Sequence, residues 1–194
     1  MNFEKKFLEN KKNALFKLKK AKEENKVDSG IISILNIINN CNNYYSSSSC
    51  FGRIVLLEIP VIGDKKNARF LGKWHKQIDQ DDILSSSKDA KLGQIWILAQ
   101  SPIIHIACKT IKVADKMLKM AVACGFKHSG LKSIDKNIVV EVTSTERLDA
   151  PVGMDGKLLC NDEYLGLLVS IANEVMDRSS LKLEKFEIML DEKL

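Results

Sequence analysis

Apolar residues recur along this chain in two rhythms, and the switches between them predict its elements. Phe3, Phe7, Leu8, Ala14, Leu15 and Leu18 fall at helical spacing, so residues 1–27 are expected to form an amphipathic helix docked by one face. Asp28 can cap a second, shorter helix over residues 29–40, built on Ile31, Ile32, Leu35 and Ile38 and ended by Asn39-Asn40-Cys41-Asn42-Asn43. The run Ile54-Val55-Leu56-Leu57-Glu58-Ile59 then reads as a strand, and a turn over 60–67 leads to another at 70–75. A polar stretch, 77–91, has room for a short helix before the next strand at 94–98.

Pro102 begins a strand over 103–108, after which Ile111, Ala114, Met117, Leu118, Ala121 and Val122 build a helix over 111–124 closed by Gly125. Strands around 127–133 and 138–143 follow at hairpin distance. Residues 149–156 carry dense turn signals and are expected to form the longest surface loop, a candidate lid. Asn161 caps a helical segment over 161–190, in which Tyr164, Leu168, Ile171 and Val175 share a face. Residues 177–180 either extend that helix or break it. Helices between strands, together with consecutive strands, predict an α+β fold: a mixed, largely antiparallel sheet with flanking helices in a single domain over 1–194.

Composition narrows the class. At 194 residues and 45% hydrophobic content, the chain can bury a sizeable core. It has no apolar run of the roughly 18 residues a membrane span needs, and its first residues alternate Lys with Phe and Leu rather than forming a signal-peptide block. A cytoplasmic protein without membrane partners is expected. Residues 1–27 hold nine Lys against four Glu, which accounts for the formal +5 of the whole chain. A lysine-rich helix face serves solubility or meets a polyanion such as RNA phosphate. The five cysteines include no CxxC pair, which argues against a disulfide framework and a zinc knuckle, and no metal is expected.

Candidate chemistry concentrates in Ser46-Ser47-Ser48-Ser49-Cys50-Phe51-Gly52-Arg53. This bend between strand-like segments combines small hydroxyl donors, a thiol, a flexible Gly and a planar charged fork suited to phosphate or carboxylate. His105 alternates with Ile104 and Ile106, so it faces the opposite side of its strand. His75, beside Trp74, ends a strand and is expected to be accessible. Trp74 and Tyr45 are aromatic groups on which a base can stack, or simply packing residues. The ten glycines are scattered singly, with no Gly-x-Gly-x-x-Gly turn, so a Rossmann cofactor site is not supported.

Ser47-Ser48-Ser49-Cys50-Phe51-Gly52-Arg53-Ile54 resembles the serine-cysteine-glycine-arginine signature of the tRNA wybutosine-synthesizing protein 3 family. Further segments match in order: Trp74-His75, the strand with His105, Gly125-Phe126-Lys127-His128-Ser129-Gly130, Ser144-Thr145-Glu146-Arg147-Leu148-Asp149-Ala150-Pro151, and Asp155-Gly156-Lys157-Leu158-Leu159 leading into Glu163-Tyr164-Leu165. Phe51 departs from the pattern, since a smaller residue is expected there. The resemblance implies an S-adenosylmethionine-dependent methyltransferase acting on the anticodon region of tRNA(Phe), at N4 of a 4-demethylwyosine-type tricyclic base at position 37.

With S-adenosylmethionine in a pocket lined by these signature segments, their residue types assign cofactor binding to Ser47, Ser48, Ser49, Gly52 and Arg53. Substrate binding falls to Tyr45, Trp74, His105, Ser129 and Arg147, with His75, His105 and Asp149 as the candidate acceptors for the proton the base must lose, and Asp149 also facing the cofactor amino group. Two other classes fit parts of the sequence: a non-catalytic RNA-binding module using the basic segment, and a thiol enzyme pairing Cys50 with His75 or His105.

Overall fold

The computed structural model describes residues 3–135 and 137–194. In chain order its elements are α1 (Phe3–Glu23), α2 (Ile32–Asn40), β1 (Tyr44–Cys50), β2 (Arg53–Ile59), β3 (Arg69–Trp74), α3 (Gln80–Ser87) and β4 (Gln94–Gln100). They continue with β5 (Ile103–Cys108), α4 (Ile111–Ala123), β6 (Gly130–Ser133), β7 (Ile138–Thr143), β8 (Arg147–Met154), β9 (Lys157–Leu158) and α5 (Asp162–Lys193). These elements form an α+β protein in which every strand pairing among the described residues is antiparallel. The strands fall into two sheets, and the chain divides into two compact units, each holding one of them.

The first unit comprises the residues up to Phe51, Pro102–Thr145 and Ser180–Leu194, with strand order β1-β5-β7-β6. Alternation along β5 and β7 sorts the two faces: Ile104, Ile106, Val140 and Val142 turn inward and are fully buried, leaving His105 and Glu141 on the opposite side. Helices α2 and α4 and the end of α5 join that inner face in one apolar cluster, in which the rings of Phe126 and Phe186 meet edge-on at 5.6 Å. Each such buried side chain contributes about 1.5–3 kcal/mol. Thr110 caps α4 by accepting a hydrogen bond from the Val113 N–H, and Gly125, at φ 99°, ends it.

Helix α1 meets the other face through one narrow ridge. Phe7 is buried against Tyr45 and Ala107, with Ala14 beside them. Phe3 and Leu8, expected on the docked face, are exposed because one row of side chains suffices for that contact. Asp28 does not cap the following helix either: the chain turns through a 3-10 segment at Ser29–Ile31, and the Asp28 carboxylate accepts the Phe51 N–H at 2.8 Å.

The second unit comprises Gly52–Ser101 and Glu146–Ser179, with strand order β3-β2-β4-β8-β9. Here the expected surface loop at 149–156 is corrected. Residues 147–154 are strand β8, paired with β4 from Gln94↔Met154 to Gln100↔Arg147. Pro151, which has no N–H to give a ladder, is accommodated where the register shifts between Ile95 and Trp96. Only Asp155 and Gly156, with φ of 49° and 78°, form the turn into β9.

The polar stretch before β4 does contain a helix, α3, whose start is fixed by reciprocal bonds between Asp79 and Asp82. Beside it, Asn173 of α5 exchanges two hydrogen bonds with the backbone of Ile78. Helix α5 runs its 32 residues unbroken. At the expected break the Ser179 hydroxyl donates to the Val175 carbonyl at 2.7 Å, so its polar group is satisfied inside the helix. No helix among the described residues is long and apolar enough to cross a membrane.

Candidate active site

The serine run is not a bend between strands but strand β1 itself, at the edge of the four-stranded sheet. Ser46 pairs with Ile106 and Ser48 with His105, so Ser47 is one residue too many for the ladder. Such a bulge re-aims the side chains around it. Ser46 stays buried, its N–H donating to Asn39 Oδ1 at 2.8 Å while Asn39 Nδ2 donates to its Oγ at 2.9 Å. Ser47 and Ser48 are exposed.

A polar row crosses the sheet from Ser48. Its Oγ lies 2.7 Å from His105 Nδ1, and His105 Nε2 lies 2.6 Å from Glu141 Oε2. The three residues are successive cross-strand partners on β1, β5 and β7, so the register alone brings them into line. One neutral tautomer satisfies both bonds: the Ser48 hydroxyl donates to Nδ1, and Nε2–H donates to the carboxylate. Lys132 of β6 reaches the same Oε2 at 3.1 Å. The His105 hydrogen bond, joined by Lys132 and opposed by burial, holds the Glu141 carboxyl below the usual carboxylate range. Ser47 adds a bond from its hydroxyl to the His105 carbonyl.

Serines 46–49 also floor a cleft of about 510 Å³ walled by α1 and the residues after it. That volume suits a small-molecule site, which typically spans roughly 300–1,000 Å³. Asn10, Asn13, Lys17 and Lys26 bring amide and ammonium groups to it, and Leu18 and Val27 an apolar surface.

The residues singled out in the sequence divide between the units. Tyr45, Ser47, Ser48, Ser49, His105 and Ser129 belong to the first. Tyr45 is buried with its ring 5.2 Å from that of Phe7, so it packs α1 onto the sheet rather than offering a face to a base. The Ser129 hydroxyl is engaged by the backbone of Thr143, donating to its carbonyl and accepting from its N–H. Both ring nitrogens of His105 are taken by Ser48 and Glu141, which leaves neither for Cys50 and argues against a Cys50–His105 thiol pair.

Gly52, Arg53, Trp74, His75, Arg147 and Asp149 belong to the second unit. Gly52 has φ of 102°, which only glycine adopts at little cost. Arg53 is held by its Nε bond to Gln100 at 2.8 Å and by the Phe70 ring, 5.6 Å from its guanidinium carbon. His75 follows β3 directly and is half-buried. Arg147 and Asp149, two residues apart on β8, form an ion pair.

The sequence reading missed Glu141, Lys132 and the cleft wall of Asn10, Asn13 and Lys17. The wall had a signal, since those three fall at i, i+3 and i+7 of a helix. Glu141 stands outward in the alternation Val140-Glu141-Val142, but only the strand register shows that it meets His105.

Residues 9–192 match the family described as Methyltransferase TYW3. A "tRNA(Phe) 7-((3-amino-3-carboxypropyl)-4-demethylwyosine(37)-N(4))-methyltransferase" of Thermococcus sibiricus is 46% identical over 95% of this chain and 94% of its own length. A protein of Methanocaldococcus jannaschii with the same name is 43% identical, over 96% and 97%. The solved structure of the PH1069 protein from Pyrococcus horikoshii superposes with a TM-score of 0.94 at 43% identity, covering 98% of each chain. With a family match over almost its whole length, and relatives this similar across theirs, the chain belongs to the Methyltransferase TYW3 family.

Proposed function

We propose that this methyltransferase moves a methyl group from S-adenosylmethionine to N4 of a 4-demethylwyosine-type base at position 37 of tRNA(Phe), beside the anticodon. The observation that carries the reading is the cleft above serines 46–49, where a hydroxyl-rich floor meets amide and ammonium groups in a volume fit for a nucleoside ligand. The names of the relatives, matched over nearly all of their length, support it.

The donor set suits S-adenosylmethionine. Lys17 and Lys26 can take its carboxylate, Asn10, Asn13 and the serine hydroxyls its ribose, and Leu18 and Val27 an apolar ring face. Its sulfonium supplies an electrophilic methyl carbon, chemistry that needs no metal. The chain's own contribution is to hold the acceptor nitrogen in line, which in well-oriented reactions supplies about 7–11 kcal/mol, and to take the proton that this nitrogen loses.

For the second unit, we assign Arg53 and Arg147 to anionic groups, carboxylate or phosphate, and Trp74 to stacking on a base. His75 and Asp149 are assigned as proton acceptors for a ligand held there. Exposed lysines of α1 are assigned to tRNA phosphates.

The test is transfer of labelled methyl from S-adenosylmethionine to tRNA(Phe) carrying the 4-demethylwyosine-type base, with tRNA(Phe) bearing unmodified guanosine as control. One methyl per precursor tRNA is expected, at N4. No incorporation overturns the reading, and tRNA binding without calorimetric binding of S-adenosylmethionine favours an RNA-binding module instead.

A further inference from the structure

We propose that Ser48, backed by His105 and Glu141, removes the proton from the acceptor nitrogen during methyl transfer, an assignment that rests on the reading above. Ser48 is the one residue of the polar row that also floors the cleft. With its own hydrogen directed at His105 Nδ1, 2.7 Å away, its oxygen lone pairs are left to accept an N–H from a base in the cleft.

The step balances without any further reactant. As the N–CH3 bond forms and the donor's S–CH3 bond breaks, the N–H proton passes to Ser48 Oγ while the serine's own proton moves to His105 Nδ1. The positive charge lost at sulfur reappears on the imidazole, whose Nε2–H is already paired with the Glu141 carboxylate at 2.6 Å. His105 then returns the proton to water.

Among the described residues, Glu141 on β7 is ion-paired with the His105 ring and Lys132 on β6 with that carboxylate, while Lys17 and Lys26 line the cleft that Ser48 floors. Glu4 of α1 is tied to Lys109 past the end of β5, away from the row. Lys132 shares Glu141 Oε2, so part of that carboxylate's charge is already balanced from β6. A hydrolytic serine would instead sit on a sharp turn into a helix with an oxyanion hole. Ser48 has no positive φ, and its edge strand runs on to Gly52 and β2.

Ser48 touches the reacting nitrogen in this scheme, whereas His105 and Glu141 act through it as positioning residues. The test compares wild type with Ser48→Ala, Ser48→Thr, His105→Gln and Glu141→Gln, at saturating S-adenosylmethionine and across pH. Ser48→Ala and His105→Gln are expected to lower kcat about 10²-fold or more, with KM for tRNA changed less than about threefold. Ser48→Thr restores the hydroxyl and is expected to rescue most of the rate. Wild type is expected to lose rate toward acid pH, and His105→Gln is expected to lack that fall. Independently of turnover, ring nitrogen-15 spectra of the free protein are expected to show neutral His105 protonated at Nε2, with a changed tautomer balance in Glu141→Gln.

Variants as active as wild type, or slowed with an unchanged pH profile, overturn the proposal and leave the methyltransferase reading standing. So does loss of activity in His75→Gln or Asp149→Asn while the Ser48 and His105 variants keep theirs, or a neutral His105 protonated at Nδ1. A wild type that transfers no methyl group overturns both.

Discussion

The indole of Trp74 lies over Gly72, two residues earlier on the same face of edge strand β3, in space that a side chain at residue 72 would fill. Period-2 alternation puts both on one side of the strand, and the missing Cβ lets the ring fold back along it. The glycine thereby sets the direction of a candidate stacking surface.

Gly72→Ala is therefore expected to move the indole without harming the fold. Gly72 does not need a positive φ, so alanine costs nothing in backbone conformation and reduces the freedom of the unfolded chain, a gain of about 0.4–1 kcal/mol. The displaced ring loses a stacking partner worth about 1–3 kcal/mol. Precursor tRNA affinity should fall about 5- to 150-fold while Tm holds or rises, measured by filter binding and thermal melts. Unchanged affinity would remove Trp74 from the tRNA contact.

Asn39 holds the inner side of the serine bulge through its bonds to Ser46, both residues being buried. Asn39→Leu leaves the Ser46 N–H and hydroxyl without that partner, at a cost of about 2 kcal/mol. Because the bulge aims Ser47 and Ser48, kcat is expected to fall alongside Tm. Ser46→Ala, which loses only the hydroxyl bond, should cost less than half as much stability. Equal losses would mean that the backbone bond is not the one that matters.

Glu58 gives the second unit a dependence on pH. Burial raises its carboxyl, but the N–H groups of Lys91 and Leu92 and the Arg69 guanidinium outweigh this and leave it below its usual value of 4.5. A carboxyl depressed in the folded state binds protons less well there than in the unfolded chain. Its stabilisation is thus complete above about pH 4.5 and lost as pH falls through the folded value. Glu58→Gln should be about 2 kcal/mol less stable at pH 7, with the gap closing below about pH 4 in urea melts. A gap that stays constant down to pH 3 would show that packing, not charge, is what Glu58 supplies.

How far the fold could be read in advance follows from what each signal encodes. Strands β5 and β7 were legible because burial of one face writes a strict alternation into Ile104, Ile106, Val140 and Val142. The same alternation marked His105 as outward-facing. Its partner stayed hidden, since strand order and register are set by pairing over 36 residues of sequence, which no local pattern records. Strand β8 is masked in the sequence because Pro151, Gly153 and Gly156 are turn residues by local preference. Pairing with β4 and a register shift beside Pro151 override that preference. The serine run looked like a bend for a related reason: hydroxyls replace the apolar alternation on an edge strand whose outer face lines a polar cleft.

The basic helix offers the clearest separation of charge from shape. Lys5, Lys12, Phe16 and Lys19 are all exposed and recur at i, i+7, i+11 and i+14, one stripe along α1. Lys11 lies off that stripe and donates to the Cys41 carbonyl at 2.5 Å, a structural use for which burial lowers its ammonium pKa. Replacing Lys5, Lys12 and Lys19 by Ala should weaken tRNA binding and reduce the slope of log K against log salt by about 2–3, since each phosphate contact contributes roughly 0.7–0.9. Phe16→Ala, at a site 70% exposed, should weaken binding and leave the slope unchanged, because stacking releases no counterions. Lys11→Ala should lower Tm and leave the slope alone. A slope unaffected by the three-lysine variant would assign the stripe to solvent, whatever happens to affinity, because only phosphate contact couples these ammonium groups to salt.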